Sequence, residues 1–225
     1  MDMLHVVAAV TAFSALDRAL TRLRLEGVYY AVHTLHNAAM VYLTAPDVYA
    51  TFTDFKHLDR YPTNRVAISL CYALHLYHCL LYWRKFRFDD WLHHLLMIGV
   101  ALPIGTLLEA HTLTGMSLFF TTGLPGGIDY LLLFGVRNGW VSRLTEKGVN
   151  RALNVWIRSP GCVAQATLAL TFLCSKGVAW LSLAAIFGSL APLLVFWNGQ
   201  YFMAQVVADY ASQTFSHPIL RTSLV

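Results

Sequence analysis

Long apolar runs separated by short charged clusters set the pattern of this 225-residue chain. Charge-free stretches cover residues 27–46, 66–83, 91–108, 110–128, 159–175 and 177–208. A helix needs about 20 mostly apolar residues to cross a bilayer, so the first five stretches each predict one span. The sixth is longer than a span and predicts a helix over 179–204, with the remainder in a turn. Residues 3–16 are apolar but too short to cross, and they lack the basic start of a signal peptide. The continuation from Leu16 to Glu26 sets Arg18, Arg22 and Arg24 among leucines, which predicts an amphipathic helix lying in the interface. The expected fold is all-α and polytopic: an N-terminal amphipathic segment (1–26), a six-span membrane domain (27–208) and a C-terminal tail (209–225).

The basic residues give this arrangement a direction. With six spans and the N-terminus inside, one side receives Arg18, Arg22, Arg24, Arg84, Lys85, Arg87, Arg137, Arg143, Lys147, Arg151, Arg158 and Arg221. The other side receives only Lys56, Arg60, Arg65 and Lys176. Such a bias marks the cytosol- or matrix-type face and puts both termini on it. Five of these basic residues fall in the longest inter-span loop, 137–158, against the single acid Glu146. That loop reads as ordinary positive-inside topology or, more sharply, as a landing strip for lipid headgroups or an anionic carrier.

Composition narrows the class. The chain is 57% hydrophobic and 12% charged, whereas soluble domains carry about 25% charged residues. Too little charge is present to coat a water-facing surface, which excludes a soluble enzyme, a disordered chain and a secreted disulfide scaffold. Cys71, Cys79, Cys162 and Cys174 sit in apolar runs without CxxC spacing and read as small buried hydrophobes. A dispersed net charge of +4 does not suit nucleic acid, so the expected partners are membrane lipids and other subunits of a membrane complex.

Polar side chains inside a bilayer carry a free-energy penalty and so mark candidate sites. They are His33, His36 and Asn37 on the first predicted span, His75 and His78 on the second, and His93 and His94 on the third, just after Asp89 and Asp90. Asp129 and Tyr130 lie on the fourth span, and Asn198 and Gln200 on the sixth. In the predicted topology all of these fall in the half of the membrane nearer the positive side. His33 and His36, like His75 and His78, are i, i+3 neighbours and share a helix face. Adjacent His93 and His94 point about 100° apart, so one of the two is expected to face inward. The expectation is a polar cavity that opens toward the positive side.

Several of these residues resemble motifs of the TLC family, which includes the translocating-chain-associated protein and the ceramide synthases. Asp89-Asp90-Trp91-Leu92-His93-His94-Leu95-Leu96 is similar to that family's acidic–apolar–His-His segment. Gly127-Ile128-Asp129-Tyr130-Leu131-Leu132 is similar to its Asp-Tyr-Leu-Leu stretch, and Thr122-Gly123-Leu124 stands where many relatives carry Thr-Glu-Leu. His33-Thr34-Leu35-His36-Asn37 and Trp197-Asn198-Gly199-Gln200-Tyr201-Phe202 resemble its first and final spans. The resemblance covers residues 28–205. It implies a six-helix barrel around a lipid or acyl chain, in the endoplasmic reticulum. His33, His36, His75, His78, Tyr130, Asn198 and Gln200 would line that lipid site. In a ceramide-synthase-like acyltransferase, His93, His94 and Asp129 would be catalytic and acyl-CoA would be a substrate. The His-Asp step of those enzymes falls here on Pro125-Gly126, which removes an acid–base partner. Lipid handling, or a place as accessory subunit of a membrane assembly, is therefore favoured over acyl transfer. The Leu124-Pro125-Gly126-Gly127 run predicts a bent fourth helix.

Two further readings remain open. Leu74-His75-Leu76-Tyr77-His78 is similar to the histidine box of the fatty-acid elongases, with Cys79 in place of its last histidine. His33xxHis36, His75xxHis78 and Asp90xxHis93-His94 together offer six histidines and a carboxylate, which would suit a di-metal lipid oxidase. Familiar membrane iron enzymes use more histidines, so no residue is assigned as a metal ligand and no cofactor is expected. An organellar inner membrane would give the same hydropathy as the endoplasmic reticulum.

Overall fold

A computed structural model describes residues 2–179 and 182–215, and for Asp89 its backbone alone. The tail beyond Phe215, with Arg221, and the Asp89 carboxylate of the motif noted above lie outside the described residues.

The described chain is all-helical. Helices α1 (Met3–Arg22), α2 (Val28–Thr53) and α3 (Arg65–Tyr82) come first. Next come α4 (Phe88–Leu96), α5 (Leu102–Leu107), α6 (Thr112–Leu118) and α7 (Leu124–Arg137). Helices α8 (Arg143–Leu153), α9 (Ser159–Ser175) and α10 (Leu183–Phe215) complete the chain. The closest neighbours are α9 with α10, α2 with α6 and α7, and α1 with α3. Among the described residues five helical stretches are long and apolar enough to cross a membrane: Met3–Arg22, Arg65–Lys85, Asp90–Leu107, Thr112–Arg137 and Leu183–Phe215.

Four of these coincide with predicted spans, and the fifth, α1, covers the segment expected to be amphipathic and interfacial. α1 runs beside α3 in the same direction. The Asp2 amide donates to Ser69 Oγ at 3.2 Å near the start of α3. Phe13 packs edge-on to Tyr77, with ring centroids 6.0 Å apart. Near the far end the Asp17 carboxylate accepts from Tyr77 Oη at 2.6 Å and from Tyr82 Oη. The polar face of α1 is thus satisfied by tyrosines, while Leu4 and Val7 remain exposed on its outer side. The first predicted span forms as α2 but is not among the five. His33, His36, Asn37, Thr44 and Thr51 are all buried and polar, and they lower its hydropathy without facing outward. The fifth predicted span forms as α9, which stops at 17 residues. α10 continues past the predicted end at 204 to Phe215. Its extension is held to α8 by an ion pair of Lys147 with Asp209 at 2.8 Å, and by Arg151 over the Tyr210 ring.

Prolines shape the remaining helices. Three wide π-helical turns, Met97–Ala101, Phe119–Gly123 and Asn154–Arg158, interrupt otherwise continuous helix. Each is followed, two residues after its end, by a proline: Pro103, Pro125 and Pro160. A proline supplies no N–H and its ring crowds the carbonyl one turn back, so the preceding turn opens. The second of these is the bend expected from Leu124-Pro125-Gly126-Gly127. The third joins α8 to α9, so much of the predicted 137–158 loop is helix.

Candidate functional site

The histidines are brought together by three helices. Period 3.6 places His33 and His36 on one side of α2 and His75 and His78 on one side of α3, while α4 carries His93 and His94. His33 donates through Nδ1 to the Tyr29 carbonyl at 2.8 Å, and His75 through Nδ1 to the Cys71 carbonyl at 2.8 Å. A carbonyl can only accept, so each Nδ1 carries the proton and each Nε2 keeps its lone pair. His36 Nδ1 likewise donates to Asn37 Oδ1 at 2.9 Å, an oxygen that also accepts from Thr122 Oγ1 at 3.0 Å.

Around these fixed rings the others pack face and edge. His33 stacks on His78 with centroids 4.4 Å apart and planes 17° apart. Tyr29 lies 4.1 Å from His33 and 4.9 Å from His78, and Tyr130 lies 4.2 Å from His33. His94 is 5.3 Å from both His75 and His78, with Phe86 stacked on its outer face at 4.5 Å. His93 Nε2 stands 3.3 Å from His75 Nε2. His94 is buried and His93 exposed, in keeping with one of the pair facing inward, while His93 still reaches the cluster through His75. The histidines and Tyr130 expected to line a cavity pack ring against ring. Two grooves lie elsewhere: an apolar one of about 360 Å³ along α8, lined by Val149, Leu153 and Trp156, and one of about 290 Å³ between Leu173 and Ala185.

Polar capacity is left over inside the cluster. Both ring nitrogens of His78, Nδ1 of His94 and Nε2 of His36 are buried without a hydrogen-bond partner among the described residues. Buried polar atoms are nearly always paired with protein, water or an ion, so these nitrogens have capacity to bond such a group. The ligand nitrogens of His75, His93 and His94 all lie within 4.8 Å of one another, a grouping that could hold a metal ion. No metal ligand is expected from the sequence alone.

Asp129 belongs to a second cluster. The charged groups nearest Asp129 are Glu146, Arg158 and Lys147, with no histidine among them. Glu146 is only 1% exposed. Arg158 donates to Asn154 Oδ1 at 3.1 Å and to the Thr121 carbonyl at 2.9 Å. Thr121 lies four residues before Pro125, so its carbonyl lacks the usual helical donor, and the arginine supplies one. Gly126 and Gly127 fit here as well. A Cβ on Gly126 would lie 2.9 Å from Asn37 Nδ2, so the glycines let α7 close onto α2. Gln200 donates to Ser159 Oγ at 3.0 Å, which ties α10 to the start of α9, and Asn198 is half-buried nearby in sequence. Sequence reasoning passed over Tyr29, Phe86, Glu146 and Arg158. The aromatic one turn before His33 was a signal for Tyr29, but Glu146 and Arg158 looked like ordinary loop charges.

Outside the membrane helices, hydrogen bonds from His57 Nδ1 at 2.6 Å and Tyr61 Oη at 3.0 Å hold the Asp54 carboxyl below its ordinary range. This cap sits on the turn between α2 and α3, apart from both clusters.

No family model matches the chain, and no curated protein or solved structure is similar to it.

Proposed function

We propose that the protein is a multi-pass membrane protein that binds a lipid or acyl chain, with the histidine–tyrosine cluster as the polar end of the site. The observation that carries this reading is the gathering of six histidines from α2, α3 and α4 within an otherwise apolar bundle, with ring nitrogens left unpaired. Imidazole that is buried and neutral can donate to or accept from a headgroup oxygen while the surrounding apolar helices take the chain. The six predicted spans form a TLC-like barrel in this reading, and α1 adds a seventh crossing beside α3. Arg18, Arg22 and Arg24 lie in the last turns of α1 or just after it, so the bias of basic residues is the same whether or not α1 crosses. Only the N-terminus changes sides. The C-terminus stays on the positive face, and the endoplasmic reticulum remains the proposed membrane.

Acyl transfer is the weaker alternative on this geometry, because Asp129 keeps company with Glu146 and Arg158 and not with His93 and His94. Lipid handling without that chemistry, alone or within a membrane assembly, fits the split better. Mass spectrometry of lipids extracted from the purified chain tests the reading, paired with a photo-crosslinking fatty acid. Enriched lipid and crosslinks to α2, α3 and α4 that fall in His78→Leu are the expected result. Crosslinks spread evenly over the outer helix faces would refute it.

A further inference from the structure

Three of the six histidine rings bring nitrogens together at one point. We propose that His75, His93 and His94 bind a single first-row transition-metal ion of the kind that favours imidazole, such as zinc or iron(II). The inference deepens the reading above, since it concerns the polar end of the same site.

Geometry is the first argument. Two nitrogens bonded to one tetrahedral zinc at about 2.0–2.1 Å stand roughly 3.3–3.4 Å apart. His75 Nε2 and His93 Nε2 are 3.3 Å apart, and the third ligand nitrogen lies within 4.8 Å of both.

Protonation is the second argument. The Cys71 carbonyl holds the proton of His75 on Nδ1, so its Nε2 offers a lone pair toward His93. A backbone carbonyl that fixes the far nitrogen of a ligating histidine is the usual outer-shell arrangement of protein metal sites. A hydrogen bond between His75 and His93 would use one nitrogen of each and still leave His94 Nδ1 buried without a partner. An ion satisfies all three rings at once.

The donor set points to the class of metal. Three neutral imidazoles suit zinc, iron, copper or nickel, not magnesium or calcium, which prefer oxygen. Cys71 Sγ is 3.9 Å from His75 Nδ1, on the side of the ring away from His93, and so is not a ligand. Three protein nitrogens leave a coordination position for water or a lipid oxygen, as in catalytic and not structural sites. The His78 ring lies 5.3 Å from the His94 ring, centroid to centroid, and both its nitrogens are without a partner among the described residues.

The test uses the full chain, purified in detergent without a polyhistidine tag or chelator. Elemental analysis should find about one transition-metal ion per chain. After chelator treatment, titration with Co²⁺ should give visible ligand-field bands that saturate at one equivalent. His75→Ala and His93→Ala should each weaken Co²⁺ binding by at least about 100-fold. His93 is exposed, so its variant keeps its fold, as circular dichroism would verify. His111→Ala is the control, since the His111 ring donates to the Tyr61 carbonyl away from the cluster. No saturable Co²⁺ or Zn²⁺ binding by the native chain would overturn the proposal, as would equal weakening by His111→Ala. Lipid analysis of the same samples separates the two readings. Lipid without metal overturns the metal site alone, and metal without enriched lipid overturns the lipid reading alone.

Discussion

Replacing Arg158 with methionine probes the joint between the two π-helical turns. The guanidinium donates from the turn Asn154–Arg158 to the Thr121 carbonyl of the turn Phe119–Gly123, and to Asn154 within its own turn. Methionine keeps an unbranched apolar stem and removes both bonds. It also leaves the Asp129–Glu146 pair without its nearest cation on the α9 side. Two charge-assisted hydrogen bonds at about 1.5 kcal/mol each give a loss of roughly 3 kcal/mol. For a chain of this size each kcal/mol moves the midpoint by about 2–4 °C, so a fall on the order of 6–12 °C is expected. Tryptophan fluorescence during heating in detergent reads the midpoint directly. Adding Asp129→Asn to the variant should return part of the loss, since it removes a carboxylate left without a counter-charge. A midpoint within about 2 °C of the native protein would refute the joint. So would strictly additive effects of the two substitutions, because residues sharing one network couple by about 0.5–3 kcal/mol.

Two further outcomes follow from the fold. If α1 crosses beside α3, a cysteine at residue 2 and a cysteine at residue 24 lie on opposite faces of the membrane. In intact vesicles of a chain whose native cysteines are replaced by alanine, an impermeant maleimide should label one and spare the other. Equal labelling would restore the interfacial position. At the turn before α3, the depressed Asp54 carboxyl makes its contacts with His57 and Tyr61 pH-dependent. A carboxyl lowered in the folded state stabilises above its ordinary value and loses that contribution as pH falls through the folded value. The His57 and Tyr61 resonances should thus be unperturbed by Asp54 protonation at pH 5 and shift only below about pH 4. Asp54→Asn should abolish that step, and a step surviving in that variant would assign it to another group.

Much of the architecture was legible because its causes are local. The lengths of apolar runs placed α3, the α4–α5 and α6–α7 spans and α10, since a bilayer imposes one length on any helix that crosses it. The Pro125 run announced the bend in the fourth predicted span, since a missing N–H acts on its own helix whatever lies beside it. Paired histidines at i, i+3 announced a shared face. The N-terminal segment reads as interfacial for an equally local reason, Arg18, Arg22 and Arg24 among leucines. The bonds of Asp17 with Tyr77 and Tyr82, more than fifty residues away, have no such local signal.

What the sequence by itself determined is therefore the class of molecule and the residues that bear chemistry: an all-helical membrane protein rich in buried histidine. The tertiary structure alone decided how those residues are shared between two clusters. Each π-helical turn inserts about one residue into the helical count and rotates everything after it by roughly 100°. The turn at Phe119–Gly123 lies just before Asp129, so the face on which that carboxylate emerges depends on how Pro125 is accommodated. Spacing along the chain carries no record of that rotation. Asp129 thus meets Arg158, while the imidazoles of α2, α3 and α4 meet one another.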